Sequence, residues 1–263
     1  MNNLIIGNTS QLSHYFPKNF TKISSRNIDF EFLKNNKWNE VYLCFGESRK
    51  YLSNSSEYEF VNYNLTKKII ENLNENSEKI VTYSTCELWN KYSGPIDLGC
   101  EFDFFSTPYL ESKYKITKFV LENKNLKNTI VLYPFNFNSI YRTKDFLFGK
   151  IFDSIINKQK ITIGNTYFNR DIIHPEFVVN KSLLSNKHEL IGSGRMTFVN
   201  DFIRDIYQEF DLKYEDFVSE DLGSFIEYDK TNEYYLKSKN CLYSYRDLIN
   251  KTKKDILKNG RSN

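Results

Sequence analysis

Tyr109 and Lys113 bracket the segment Tyr109-Leu110-Glu111-Ser112-Lys113, and their spacing of four is the sharpest chemical signal in the chain. On a helix that spacing sets a phenol and an ammonium on one face. A free tyrosine titrates near pH 10, so it moves protons poorly at neutral pH unless a neighbouring cation favours the phenolate. Lys113 would supply that cation, and the pair would serve as a general acid and base. Because the chain holds 19 tyrosines, the pattern carries weight only through its surroundings. Upstream, a β-like run ends in Val81-Thr82-Tyr83-Ser84-Thr85-Cys86-Glu87-Leu88-Trp89, and a strand-end hydroxyl there can hydrogen-bond a carbonyl oxygen beside Tyr109. Downstream, a second run ends in Leu132-Tyr133-Pro134-Phe135-Asn136. A hydroxyl at one strand end, Tyr-x-x-x-Lys, then Pro-Phe-Asn at another strand end, in that order, is hard to obtain by accident.

These residues need a scaffold, and the hydrophobic pattern supplies one. Short apolar runs at Asn3-Leu4-Ile5-Ile6, Glu40 to Phe45, Lys79 to Ser84 and Thr129 to Tyr133 alternate with longer amphipathic stretches. Those stretches are the segment before Phe16, Asn64 to Leu73, and Tyr109 to Glu122. Apolar strands without polar alternation, separated by helix-period segments, predict a parallel sheet covered on both faces. The fold class expected is α/β, a Rossmann-like doubly wound parallel sheet with a small C-terminal α/β substrate lobe. The boundaries read as a dinucleotide-binding domain over 1–140, completed by a later strand near 189–194, and a lobe over 141–263 in which Phe146 to Ile156 and Val199 to Phe210 still read as helices.

In such a sheet the first strand-to-helix turn is the usual pyrophosphate site. Here it is Gly7-Asn8-Thr9-Ser10-Gln11-Leu12-Ser13. The spacing is that of Gly-x-x-Gly-x-x-Gly, with Ser10 and Ser13 in place of the later glycines; serine is small and its hydroxyl can donate to phosphate. Gly7, Thr9, Ser10, Gln11 and Leu12 are the expected contacts. Taken alone, the segment is better explained as an ordinary turn after a strand. At the tip of the second strand, Lys22-Ile23-Ser24-Ser25-Arg26 carries no acid for ribose hydroxyls. Ser25 and Arg26 suit a 2′-phosphate instead, which points to NADP(H) over NAD(H).

Together these motifs resemble the extended short-chain dehydrogenase/reductase superfamily of nucleotide-sugar epimerases, dehydratases and 4-keto-sugar reductases, from Leu4 to about Phe210. Phe60 to Thr66 is similar to its Asn-Val-x-Gly-Thr helix start, and Cys44-Phe45-Gly46 to its Ala-Ala-Gly strand end. Ser84 to Trp89 is similar to Ser-Thr-x-Glu-Val-Tyr, which assigns the catalytic hydroxyl to Thr85. Arg170-Asp171-Ile172-Ile173-His174 resembles a segment whose Arg, in relatives, contacts a nucleotide diphosphate. The resemblance implies cofactor contacts from Cys44, Phe45, Gly46, Tyr109, Lys113 and Pro134, substrate contacts from Thr85, Asn136 and Arg170, and a homodimer through the helices after residues 62 and 109. The chain departs from the pattern at Ser10 and Ser13, and at Tyr133 and Ser139, where Arg and Gly are common.

Three reactions share the hydride step that this resemblance implies. A reductase stops after reducing a 4-keto sugar, an epimerase returns the hydride to the other face, and a 4,6-dehydratase also eliminates water. Glu87 resembles the extra base of the dehydratases, whereas Cys86 stands where some carry an acid. The NADP preference and the small lobe favour an NADPH-dependent reductase. A non-catalytic dinucleotide- or sugar-binding protein on the same fold is the alternative of another class. His174 reads as a structural histidine.

Composition narrows the partners. Thirty-six Lys and Arg stand against 33 Asp and Glu, a net charge of +3, which gives no reason to expect nucleic acid. The four cysteines form no CxxC pair and have no histidine at metal-ligand spacing, so neither a metal site nor a disulfide framework is expected. No apolar window approaches a membrane span, and the expected location is the cytoplasm.

Overall fold

A computed structural model describes residues 2–49, 55–221, 223 and 232–260. The chain divides into two compact units: Met1–Trp89 with Glu101–Pro134 and Val178–Ile191, and Asn90–Cys100 with Phe135–Phe177 and Gly192–Asn263.

Along the first stretch run β1 (Asn3–Ile6), β2 (Thr21–Ile23), α1 (Phe30–Asn35), β3 (Trp38–Leu43), α2 (Ser55–Tyr58), a π-helical segment (Glu59–Leu65), α3 (Thr66–Leu73) and β4 (Ser77–Tyr83). Then come β5 (Gly94–Ile96), α4 (Pro108–Glu122), β6 (Thr129–Pro134), β7 (Asn136–Phe137), α5 (Leu147–Asn157), β8 (Ile161–Ile163), β9 (Asn169–Arg170) and β10 (Ile172–Ile173). The remainder is α6 (Pro175–Leu184), β11 (Glu189–Ile191), β12 (Thr197–Phe198), α7 (Val199–Gln208), α8 (Tyr214–Phe217), β13 (Val218–Glu220), β14 (Tyr234–Leu236) and α9 (Tyr245–Gly260).

The first unit is built on a six-stranded sheet of order β11-β6-β4-β3-β1-β2, parallel throughout. Its strands are the apolar runs: Leu4, Ile5, Ile6, Val41, Ile80, Val81 and Val131 are sealed from solvent, as burial on both faces requires. α3 packs through Ile69, Ile70 and Leu73 at helical spacing. The strand expected near 189–194 is β11, which adds to the sheet beside β6.

Strand order reverses at β1, which has β2 on one side and β3 on the other. At such a switch point the two outgoing chain segments diverge and leave a crevice. Gly7 follows β1 with φ of +106°, and a Cβ there would stand 3.0 Å from both Cys44 C and Phe45 N. Only glycine lets the ends of β1 and β3 lie this close.

One expected element is missing. The stretch before Phe16 forms no helix; residues 7–20 make a single 3₁₀ turn, Leu12–His14. Pro17 bars Phe16 from continuing a helix, and Phe16 instead plugs the sheet, its ring 4.6 Å from that of Tyr42.

The second unit has two-stranded pairs: β7 with β10, β8 with β13 and β5 with β14 are parallel, and β9 with β12 is antiparallel. α7 buries Val199, Phe202, Ile203, Ile206 and Tyr207 at positions i, i+3, i+4, i+7 and i+8. Asp171 is a buried acceptor for Ser193 N (2.8 Å), Ser193 Oγ (2.7 Å), Gly194 N (3.2 Å) and Leu236 N (3.1 Å), tying β14 to the loop after β11. His174 is structural as expected, buried with Nε2 3.1 Å from Asp255 Oδ2.

A side chain also serves the main sheet. Nδ1 of His188 accepts the Val131 N–H at 3.0 Å, and burial holds its pKa below the usual histidine value. The unfolded chain therefore takes up a proton more readily than the fold, so this contribution is complete above pH ~6.5 and is lost as pH falls from there through the folded pKa. Thermal unfolding followed by circular dichroism is expected to show Tm falling from pH 7 to pH 5.5, with a shallower fall in His188→Gln. His14, whose pKa burial also lowers, leaves a residual slope. Identical slopes in the two proteins would refute this role for His188.

Candidate active site

The Tyr109 and Lys113 pair sits where the start of α4 puts it. Thr107 has extended backbone and its Oγ1 accepts from Leu110 N at 3.2 Å, while Pro108 takes the first helical position. Tyr109 is thereby fixed in the first turn and Lys113 one turn on. The buried face of α4 carries Leu110, Ser112, Lys113, Ile116, Thr117 and Val120, so the lysine is carried inward against the sheet.

Lys113 is 7% exposed, and its Nζ donates to the carbonyl of Tyr83 at 2.9 Å, the last residue of β4. Burial pushes its pKa down to about 8. At neutral pH the side chain is therefore still mostly an ammonium, with one donor spent on the sheet and two others available. The same nitrogen lies 3.3 Å from where a Cβ on Gly46 would stand, so glycine there lets the ammonium pack against the loop after β3. Tyr109 is half-buried, its ring edge-on to that of Tyr58 with centroids 6.2 Å apart.

Beyond β4, Ser84 and Thr85 diverge in role. Ser84 Oγ accepts from Thr117 Oγ1 at 2.8 Å, which docks the strand end on α4. Thr85 Oγ1 accepts from Glu87 N at 3.2 Å and opens the 3₁₀ turn Cys86–Trp89, leaving its hydroxyl proton to donate. Glu87 is partly exposed, whereas Cys86 is buried. Pro134 closes β6, next to the strand that carries Tyr83.

The turn after β1 carries few polar groups that the chain itself does not use. Glycine at 7 and at 46 is set by packing within the chain: a Cβ would meet the Cys44 and Phe45 backbone at Gly7, and Asn62 Oδ1 and Lys113 Nζ at Gly46. Gln11 Oε1 is buried without a hydrogen-bond partner among the described residues, an acceptor left for a ligand hydroxyl. Ser10 Oγ accepts from Ser13 N at 3.3 Å and keeps its own proton to donate. Ser13 departs from expectation: its hydroxyl points inward to Asn8 O (2.9 Å) and Ser10 O (2.7 Å), closing the turn instead of facing a phosphate. Thr9 and Leu12 belong to the same turn, with Leu12 buried beneath it. Ser25 and Arg26 follow β2, where the Arg26 side chain is exposed and its N–H donates to Ser24 Oγ at 3.1 Å. The acceptor on Gln11 and the donor on Ser10 are the two groups of this turn that suit a dinucleotide.

The structure thus gathers Gly46, Lys113 and the β4 end bearing Thr85 in the first unit, and sets Gly7 against Cys44 and Phe45. Asn136 and Arg170 lie in the second unit. There Asn136 pairs with Ile172, and Arg170 stacks its guanidinium 4.4 Å over Phe168 while Nη1 donates to Asn169 O at 2.9 Å. Sequence reasoning overlooked Tyr58, and it placed Asn62 in the helix-start motif Phe60 to Thr66 without giving its side chain a role. No group of metal-ligating side chains occurs among the described residues, nor any helix long and apolar enough to cross a membrane.

No protein-family model and no curated protein sequence matches the chain. Solved structures do. DesIV, a dTDP-glucose 4,6-dehydratase from Streptomyces venezuelae solved with NAD, superposes with a TM-score of 0.80 at 12% identity, covering 98% of each chain. UDP-glucuronic acid 4-epimerase from Bacillus cereus, in complex with NAD, gives 0.79 at 13% identity, covering 100% of this chain and 99% of that one. RMD from Pseudomonas aeruginosa, complexed with NADPH, gives 0.77 at 12% identity over the whole of both chains. With its parallel sheet, its switch point at Gly7 and its helix-borne Tyr109 and Lys113, this chain has the fold of the extended short-chain dehydrogenase/reductase superfamily.

Proposed function

We propose that the chain is an NADPH-dependent reductase of a nucleotide-linked 4-keto sugar. The observation that carries the reading is the buried Lys113 ammonium, bonded to the end of β4 beside Gly46 and one helical turn from Tyr109. An ammonium held this far from water needs a use beyond one carbonyl, since its burial alone is unfavourable.

In this reading Gly7, Thr9, Ser10, Gln11 and Leu12 hold the pyrophosphate half of NADPH, Ser25 and Arg26 its 2′-phosphate, and Cys44, Phe45, Gly46 and Pro134 the remainder. When bound, NADPH supplies the hydride. Lys113 holds the nicotinamide ribose and lowers the cost of the phenolate, Tyr109 gives its proton to the sugar oxygen, and Thr85 donates a hydrogen bond that orients that oxygen.

Dehydration needs an acid beside the base Glu87, and Cys86 occupies that place as a buried thiol. A reductase needs neither group, which favours it over the dehydratase and, with Arg26 selecting NADPH, over an epimerase that recycles its hydride. The non-catalytic reading draws on one observation, the replacement of the first helix by the turn Leu12–His14.

Incubation with a panel of nucleotide-4-keto-sugars, following NADPH absorbance, is expected to show consumption with at least one of them. Tyr109→Phe is expected to lower turnover by roughly 100-fold or more while NADPH affinity stays within about twofold; full activity in that variant would reject the assigned acid. Arg26→Ala is expected to weaken NADPH by roughly tenfold and leave NADH unchanged, the loss of one charge-assisted contact. An unaltered NADPH to NADH affinity ratio would remove Arg26 from the 2′-phosphate site, and thermal stabilisation by neither dinucleotide would favour the non-catalytic reading.

A further inference from the structure

A helix N-terminus offers a pyrophosphate unpaired N–H groups and roughly half a positive charge. The three-residue turn Leu12–His14 has no such dipole to offer. The N–H groups around it are largely spent on the chain itself. Gly7 N and Asn8 N both donate to Ile23 O, at 2.9 and 3.1 Å, Ser10 N donates to Gly7 O at 3.0 Å, and Ser13 N donates to Ser10 Oγ at 3.3 Å. A diphosphate placed here needs its charge balanced from elsewhere.

Lys22 is the cation at hand. On β2 it stands in register with Ile5, as Tyr42 does on β3, so the three side chains share one face of the sheet. Phe16 and Phe20, from the stretch that forms no helix, cover Tyr42 on that face, with ring centroids 4.6 and 6.1 Å away. The half-buried Lys22 turns its Nζ to the carbonyl of Ser13 and donates to it. Ser13 is the residue that closes the turn, its hydroxyl on Asn8 O and Ser10 O. The ammonium is therefore tied directly to the segment expected to hold phosphate. Its charge also reaches His14, whose pKa burial and Lys22 together hold below the usual histidine value, and the Cys44 thiol just after β3, where it opposes the upward push of burial. The Cys44 backbone abuts Gly7, so this charge is felt on both walls of the crevice.

We propose that Lys22 is the cation of the pyrophosphate site, its ammonium supplying to a dinucleotide diphosphate the positive charge that a helix N-terminus would otherwise supply. The proposal deepens the dinucleotide reading above and rests on it. Closing the turn does not by itself call for a charge, since a carbonyl at the end of a short turn is satisfied by water, and holding a lysine there costs rotamer freedom. Ser13 O takes one of the three ammonium donors and leaves two for phosphate oxygens. The basic residues of this edge then divide the cofactor between them. Arg26, beyond the tip of β2, serves the 2′-phosphate that only NADPH carries, and Lys22 serves the diphosphate that NADPH and NADH share.

The test is calorimetric binding of NADPH and NADH to wild type, Lys22→Met and Lys22→Arg, each checked for an intact fold by circular dichroism. In K22M both dinucleotides are expected to bind roughly tenfold more weakly, the loss of one charge-assisted contact, whereas R26A is expected to affect NADPH alone. K22R, which keeps the charge, is expected to stay within about threefold of wild type. Salt separates the charge from closure of the turn. Between about 0.01 M and about 1 M NaCl the screening length falls from ~30 Å to ~3 Å, and the K22M deficit is expected to shrink to roughly threefold or less. Equal affinity of wild type and K22M for NADH would overturn the proposal. So would a deficit undiminished in high salt, which would leave Lys22 only the closing of the turn. If K22M does not fold, Lys22→Gln is read by the same criteria. A wild-type protein that binds neither dinucleotide overturns the dinucleotide reading and this proposal with it, whereas wild-type binding without a K22M deficit overturns the proposal alone.

Discussion

An ammonium group on the wrong side of a helix organises this protein. Lys113 lies on the buried face of α4, and its charge is tolerated because the Tyr83 carbonyl at the end of β4 accepts from it and glycine at 46 crowds it with no side chain. Taking an ammonium out of water without such partners is strongly unfavourable. The local structure follows from meeting that requirement: Thr107 and Pro108 set where α4 starts, Thr117 pins α4 to Ser84, and Ser112 ties its first turn to Asn62.

The sheet does the rest by bringing loop ends together. Parallel strands place their carboxyl ends on one edge, and the change of direction at β1 opens a crevice beside Gly7. The backbone there is closer to β3 than any side chain would allow, whereas at Gly46 a Cβ would meet side-chain atoms, Asn62 Oδ1 and Lys113 Nζ. Two glycines at the ends of β1 and β3 thus shape the cradle, while Ser13 closes the turn that a helix would otherwise have followed.

Much of this was legible in the sequence. Unbroken apolar runs such as Asn3–Ile6 have one good home, a strand buried on both faces, and the apolar spacing from Tyr109 to Glu122 marks a helix. The turn Leu12–His14 was not read, because periodicity before Phe16 is compatible with a helix ending before Pro17 until the packing of Phe16 on Tyr42 is known. Asn62 and Tyr58 were hidden for a different reason. Their roles come from contacts with residues 15 to 51 positions away, and single-chain spacing carries no trace of such pairings. The inward turn of the Ser13 hydroxyl was invisible likewise, since serine at that place suits a phosphate and a backbone carbonyl equally.

The central claim is that the Lys113 ammonium faces a nicotinamide ribose. Calorimetric titration of NADPH into wild-type protein and into Lys113→Met, each checked for an intact fold by circular dichroism, tests it most directly. The account predicts saturable binding to wild type and affinity at least roughly tenfold weaker in the variant, the loss of one hydrogen bond from a charged donor. Equal affinity in the two proteins, or no binding by wild type, would contradict it.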